Sequence, residues 1–336
     1  MEHRITKRLF KLLLVGSVIA FAVAPAWSQG CQTREEISPD VRSAIEAAAQ
    51  KAFDQASAGN VDALKGDSIP SLQSNFGAIA GAVNDNKAAL AGAKPQIRTS
   101  FLLDTGPTPS ADGQFYCGVF GARGMGANGA EFDIPNLPVG KYGIAIQDIV
   151  GTKGPYVLTT IFQDMGGWKI AGFRVHSVSA IGHDGFWYLE RAREYKTKGQ
   201  SHNAWFYYLT SWELIAPVPF MNTVMLSKVT QESNSVQPKD VPVGGTPVAF
   251  NANGKTYNIT EISPLFTGNT FDLNIKYSVP STSDFNGAQA DARALATAMV
   301  AQYPELKDAF TNVWAHAVDP NGAEAVGLIN LKQAKP

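Results

Sequence analysis

PQIRTSFLLD, residues 95–104, is where the apolar rhythm of the chain changes. Upstream of it, Val41, Ile45, Ala48, Ala49, Ala52, Phe53 and Ala56 recur at spacings of three and four. That spacing puts one apolar stripe on an amphipathic helix. Ser38, Pro39 and Asp40 read as its start: a hydroxyl at the cap, a proline and an acid in the first turn. Gly59 and Asn60 stop it. Shorter helices are expected over 61–65 and 69–76, and a longer one over 78–91. Downstream, apolar residues alternate. Ile97, Phe101 and Leu103 point one way in the first run, and Phe115, Cys117 and Val119 do so in the next. Tyr142, Ile144, Ile146 and Asp148 share a third parity. Residues 156–163 and 168–178 form a hairpin through Asp164, Met165, Gly166 and Gly167. Helices followed by antiparallel strands predict an α+β fold, with helices on one face of a curved sheet.

Two stretches carry a family resemblance. The segment FDQASAGNVDAL, residues 53–64, resembles the opening of nuclear-transport-factor-2-like domains. The hairpin TTIFQDMGGWKIAGF, residues 159–173, resembles their last two strands. The likeness covers residues 38–178, less than half the chain, and the insertion over 121–140 departs from the pattern. It implies a cone-shaped domain with an apolar cavity, which members use for catalysis, for binding or for assembly.

Beyond Asp184, which suits a helix cap, a helical hairpin is expected over 185–198 and 202–215, with a third helix over 221–232. Ala192, Tyr195, Gly199, Ala204 and Tyr208 are spaced like one degenerate tetratricopeptide unit. A single copy makes no solenoid, which needs about three repeats. Residues 234–245 have the composition of a linker. The remainder, 246–336, reads as a second small α+β unit of strands with an alanine-rich helix over 288–303. The expected division is therefore 1–28, a signal peptide; 36–180, the cone-like domain; 184–233, a helical hairpin region; and 246–336, the C-terminal domain.

Composition narrows the function. Of 336 residues, 28 are basic and 29 acidic, so nothing points to nucleic acid. Residues 1–28 read as an export signal of bacterial type: Arg4, Lys7, Arg8 and Lys11 precede an apolar run over 12–24 and small residues at cleavage spacing. That run is shorter than the ~20 residues a spanning helix requires. The expected location is the periplasm or the outside of the cell. Two cysteines leave three readings: a Cys31–Cys117 disulfide in an oxidising compartment, lipidation of Cys31 in a lipobox-like Ser28-Gln29-Gly30-Cys31 context, or two free thiols.

Reactive constellations are sparse. Gly124, Gly126 and Gly129 match a dinucleotide-binding string, but Pro135 and Pro138 forbid the helix that must follow, so a flexible loop is expected. His183 and Asp184 lack the further ligands of a metal-dependent phosphohydrolase. His176, His183, His202 and His316 form no pair at metal-ligand spacing. No cofactor or metal is expected. One weak catalytic pair remains, Asp148 and His176, if both strand faces line the cone; solvent exposure and a sheet end explain them as well. The cluster of Trp187, Tyr188, Trp205, Phe206, Tyr207, Tyr208 and Trp212 is the densest aromatic group in the chain. One partner helix cannot bury all of it, which makes Trp205, Tyr207 and Trp212 candidates for an interaction surface. The functional expectation is a non-catalytic binding or assembly module of the cell envelope, taking a small apolar ligand or another envelope protein. The alternative is a lyase or isomerase working by acid/base chemistry in the cone.

Overall fold

The computed structural model describes residues 30–108, 113–119, 124–151 and 154–332; the expected signal peptide lies outside these. Strand β1 (Gly30–Thr33) precedes helix α1 (Pro39–Ser57). Ile45, Ala49, Ala52, Phe53 and Ala56 are buried along one side of α1, as their spacing requires. Pro39 occupies the first turn, but the Ser38 hydroxyl caps no amide. Gly59, at φ +68°, ends the helix. Asn60 then caps α2 (Val61–Gly66) by accepting from the Ala63 N–H at 3.1 Å. Helices α3 (Pro70–Gln73) and α4 (Gly77–Leu90) complete this layer.

Six longer strands follow: β2 (Lys94–Asp104), β3 (Gln114–Val119), β4 (Met125–Asp133), β5 (Lys141–Gly151), β6 (Gly154–Asp164) and β7 (Trp168–Ser177). An antiparallel sheet runs in the order β1-β2-β5-β6-β7. One face carries the helices: Ile45, Phe53 and Val83 pack against Ala145, Leu158 and Phe162. Gly143 lets α1 come close, because a Cβ there would lie 2.8 Å from Ile45 Cγ1. The other face, with Phe101, Leu103, Ile144 and Ile146, packs on Phe115, Cys117 and Phe132 of the β3–β4 ribbon. Cys31 and Cys117 form a disulfide that ties β1 to this ribbon across 86 residues. The Cys31 sulfur that a lipid anchor needs is therefore engaged.

Two bulges decide which side chains share a face. In β2 the register slips between Ile97 and Thr99, with Arg98 as the extra residue. Ile97 consequently packs toward the helices while Phe101 and Leu103 face the ribbon, contrary to the single parity expected of them. In β7 a slip at Ala171 separates Trp168 and Ile170, on the helix side, from Arg174 and His176 on the ribbon side. A further correction concerns the glycine string: Met125–Asp133 is strand β4, not a loop. Its buried Ala130 and Phe132 alternate with the half-buried Glu131 and exposed Asp133.

Two short strands, β8 (Ser179–Ala180) and β9 (His183–Asp184), lead to α5 (Gly185–Thr197), where the Asp184 carboxylate accepts from the Trp187 N–H at 2.8 Å. Helix α6 (Ser201–Ile215) follows. Met221 does not open a helix; it begins a two-residue strand, β10 (Met221–Asn222), that pairs with Phe132 and Glu131 of β4. Thr223 then caps α7 (Val224–Asn234).

The last segment contains β11 (Val248–Ala252), β12 (Lys255–Thr267), β13 (Thr270–Ser278), α8 (Phe285–Gln302), α9 (Leu306–Ala309), β14 (Asn312–Val318) and β15 (Glu324–Asn330). These strands form a second sheet in sequence order, antiparallel except that β13 and β14 run parallel across the α8 crossover. The architecture is mixed α+β throughout. The apolar cores, however, group the chain differently from its sequence composition. One continuous core joins Tyr188, Leu189 and Phe206 of the helical hairpin to Ile275, Leu295 and Phe310 of the last segment. The connecting stretch is also docked, with Val241 buried in that core. Among the described residues no helix is long and apolar enough to cross a membrane.

Candidate ligand-binding groove

Helix α6 reads SHNAWFYYLTSWELI and is buried on most of its circumference. A helix of that kind must be surrounded. α5 covers one side at close range, since a Cβ on Gly185 would sit 2.6 Å from Ile215 Cγ1. The second sheet covers another, with the Tyr207 and Phe271 rings 5.0 Å apart, edge to face. The Tyr207 hydroxyl donates to the Ala309 carbonyl at 3.2 Å, and Asn203 Nδ2 donates to the Glu305 carbonyl at 2.6 Å. α7 covers a third side. There Arg193 Nε and Nη2 each donate to Glu232 at 2.8 Å, and the Tyr208 hydroxyl donates to it at 3.0 Å. These bonds from Arg193 and Tyr208 hold the Glu232 carboxyl below its usual range.

This enclosure corrects the expected interaction surface. Trp205 and Tyr207 are each only 6% exposed. Their rings are anchors of the shared core. Trp212 behaves differently: it is half-buried, one turn from the end of α6, beside Glu213, which is paired with Arg174 of the first sheet. No side-chain hydrogen bond engages its indole among the described residues.

Trp212 lines three adjoining depressions. The largest, about 620 Å³, runs between α7 and the β4–β10 pair. Glu131, Asp133, Phe220 and Asn222 border it with Trp212, and α7 adds Ser227, Thr230 and Gln231. The second, about 300 Å³, is apolar and lies between Leu209 and Leu214 of α6 and Pro264 and Phe266 of β12. The third, about 250 Å³, runs along Tyr208, Val229 and Val243. Grooves of this kind, apolar with a few fixed polar groups, are where ligands bind.

The polar groups of the large groove are held in place. Asn222 Oδ1 accepts from the Thr223 N–H and the Ser227 hydroxyl, each at 3.0 Å. Its amide nitrogen is thereby turned toward Glu131 Oε2, at 3.4 Å. The Asp133 N–H donates to the Phe220 carbonyl at 3.0 Å, which pins the strand carrying both acids. Neither carboxylate forms an ion pair among the described residues, and no basic side chain lines the groove.

The acid/base candidates occupy another place. Asp148 and His176 both face the ribbon side of the first sheet, with Val157 of β6 between them. Two strand spacings, about 10 Å, therefore separate their backbones. The half-exposed Asp148 receives Arg98 Nε at 3.1 Å and a second bond from Nη2. Both nitrogens of His176 are shut off from solvent with no hydrogen-bond partner among the described residues. Burial, with Arg174 and Arg98 nearby, lowers its pKa to about 4, so the ring is neutral at neutral pH. The groups that do point toward the helices from this sheet include Gln147 and Thr160, both fully buried and neither titratable. His183 stacks on Trp187, ring centres 3.7 Å apart, beside the capping Asp184. Among the described residues no three His, Cys, Asp or Glu side chains gather as metal ligands.

Sequence reasoning missed Glu131, Phe220 and Asn222, and took Asp133 for a solvated residue at a strand end or turn. Glu131 follows the glycine string read as a loop, Phe220 precedes the helix expected over 221–232, and Asn222 falls inside it. The available signal was the alternation of Ala130, Glu131, Phe132 and Asp133. No family model, curated protein or solved structure matches this chain.

Proposed function

We propose that this chain is an exported, non-catalytic binding module, and that its ligand site is the groove bordered by Trp212. The observation that carries the reading is the position of that indole. Tyr188, Trp205, Phe206, Tyr207 and Tyr208 are buried in the core and Trp187 stacks on His183, while Trp212 is half-buried and lines all three depressions. Aromatic rings bind at low entropic cost, which is why they serve as anchors in recognition sites. Export is supported by the basic and apolar leader over 1–28 and by the Cys31–Cys117 disulfide, a bond that persists in oxidising compartments. The first unit is read as a cone-like domain of the nuclear-transport-factor-2 kind, supported by four helices on one face of its sheet. It is assigned a scaffolding role, because Asp148 is tied to Arg98 and strand β6 lies between it and His176.

Native mass spectrometry of the mature chain, purified from the cells that make it, tests the reading. A retained adduct on the wild type that is lost from Trp212→Ala and kept by Trp212→Phe supports it. An adduct held equally by wild type and Trp212→Ala places the ligand elsewhere and overturns it.

A further inference from the structure

The groove's charge and shape say more about its occupant. Two carboxylates, Glu131 and Asp133, stand on one wall with no cation paired to them among the described residues, and the rings of Trp212 and Phe220 stand beside them. An anion entering here meets uncompensated negative charge. An apolar group leaves both carboxylates facing it. A protonated amine or guanidinium satisfies both walls, through the aromatic faces and through the acids. The second and third depressions continue from the same indole and are predominantly apolar, with Leu209, Leu214, Pro264 and Phe266 in one of them. A lone cation fills only the acidic end. An extended chain places alternate side chains about 7 Å apart on one face, so it can offer a cationic and an apolar side chain to depressions that share the Trp212 ring.

Resting on the binding reading above, we infer that the groove takes an extended peptide segment of a partner protein, with a basic side chain between Trp212 and the Glu131–Asp133 pair and an apolar side chain in the depression beside Phe266.

The test follows the Trp212 indole N–H resonance of the mature chain, assigned with Trp212→Phe, during titration to millimolar concentration. Three probes are used: a capped Lys-Ala-Leu tripeptide, its norleucine-Ala-Leu counterpart, and n-butylamine. The lysine peptide is expected to bind about tenfold more tightly than the norleucine peptide, and added salt should reduce that preference. The double variant Glu131→Gln, Asp133→Asn should remove the preference; a preference that survives it overturns the role of the two acids. Equal binding of the two peptides overturns the cation inference and leaves the groove reading standing. Butylamine binding as tightly as the lysine peptide overturns the peptide occupant in favour of a small amine. A resonance that none of the three probes moves overturns this inference, while an adduct dependent on Trp212 in the mass spectrometric test would still support the groove.

Discussion

The Trp314 indole N–H donates to the carboxylate of Asp272 at 2.9 Å, beneath the second sheet's surface, where Asp272 has no exposed area at all. The same carboxylate accepts from the Asn312 backbone N–H at 3.1 Å, from Asn312 Nδ2 at 2.9 Å and from the Thr270 hydroxyl at 3.1 Å. Four donors around one buried carboxylate make it a staple between β13 and β14, the single parallel pair in that sheet. Asp272→Asn turns one acceptor oxygen into a donor that faces donors. A loss of about 2–4 kcal/mol is expected, read as a lower denaturation midpoint with altered Trp314 fluorescence. An unchanged midpoint would show that the strands hold their register without it.

Glu232 joins three helices by accepting from Arg193 on α5 and Tyr208 on α6 while belonging to α7. Because α7 forms one wall of the Trp212 groove, Glu232→Ala should loosen the site as well as the fold. The expected cost is about 1–3 kcal/mol at pH 7. The folded-state pKa is lowered, so this stabilisation is present above the ordinary carboxylate range and disappears as pH falls through the folded value. Urea midpoints at pH 7 and pH 3 should differ less in the variant than in the wild type.

His176 gives a pH dependence in a different window. Above pH 6.5 the ring is neutral in both folded and unfolded chains. Between 6.5 and about 4 only the unfolded chain takes up the proton, so stability falls as pH drops through that interval. The effect is on the order of 2–3 kcal/mol. His176→Met removes the proton site and loses no hydrogen bond, since neither ring nitrogen has one. Its midpoint should therefore fall less than that of the wild type between pH 7 and pH 4.5. Parallel pH profiles would remove His176 as the cause.

Reducing the disulfide should cost about 3–5 kcal/mol, because the bridge closes a long loop in the unfolded chain. Thermal melting of Cys31→Ser with Cys117→Ser against the oxidised wild type measures it. The Trp212 indole resonance should shift as well, since Cys117 pairs with Ala130 beside Glu131 in the groove wall. A resonance that stays in place would show that β4 holds that wall without the bridge.

Close packing offers the sharpest structural test. A Cβ on Gly327 would lie 2.4 Å from the Arg293 backbone nitrogen, so α8 touches β15 with nothing between. Gly327→Ala must push the helix away and is expected to cost about 1–3 kcal/mol. Gly166→Ala, in a turn with open space around it, meets no such atom; its cost comes from a φ of +79° alone. Melting temperatures of the two variants separate steric from conformational cost, and an unaffected Gly327→Ala would contradict the packing.

Short-range patterns set most of the elements, though not β4 or β10. Spacings of three and four gave α1, alternation gave β5 through β7, and Asp184 capped α5, because these features depend on residues a few positions apart. Faces and neighbours were decided elsewhere. One extra residue at Arg98 turned Ile97 away from Phe101, and another at Ala171 turned His176 away from Ile170. A bulge leaves the local alternation intact and is visible only in the register with the next strand. The burial of Trp205 and Tyr207 depended likewise on a sheet about 50 residues further on, which no local pattern announces. The groove at Trp212 exists because β4, β10, α6 and α7 converge there. Tertiary packing brings residues 131, 212 and 222 together; the order of residues fixes only what each of them is able to do once it arrives.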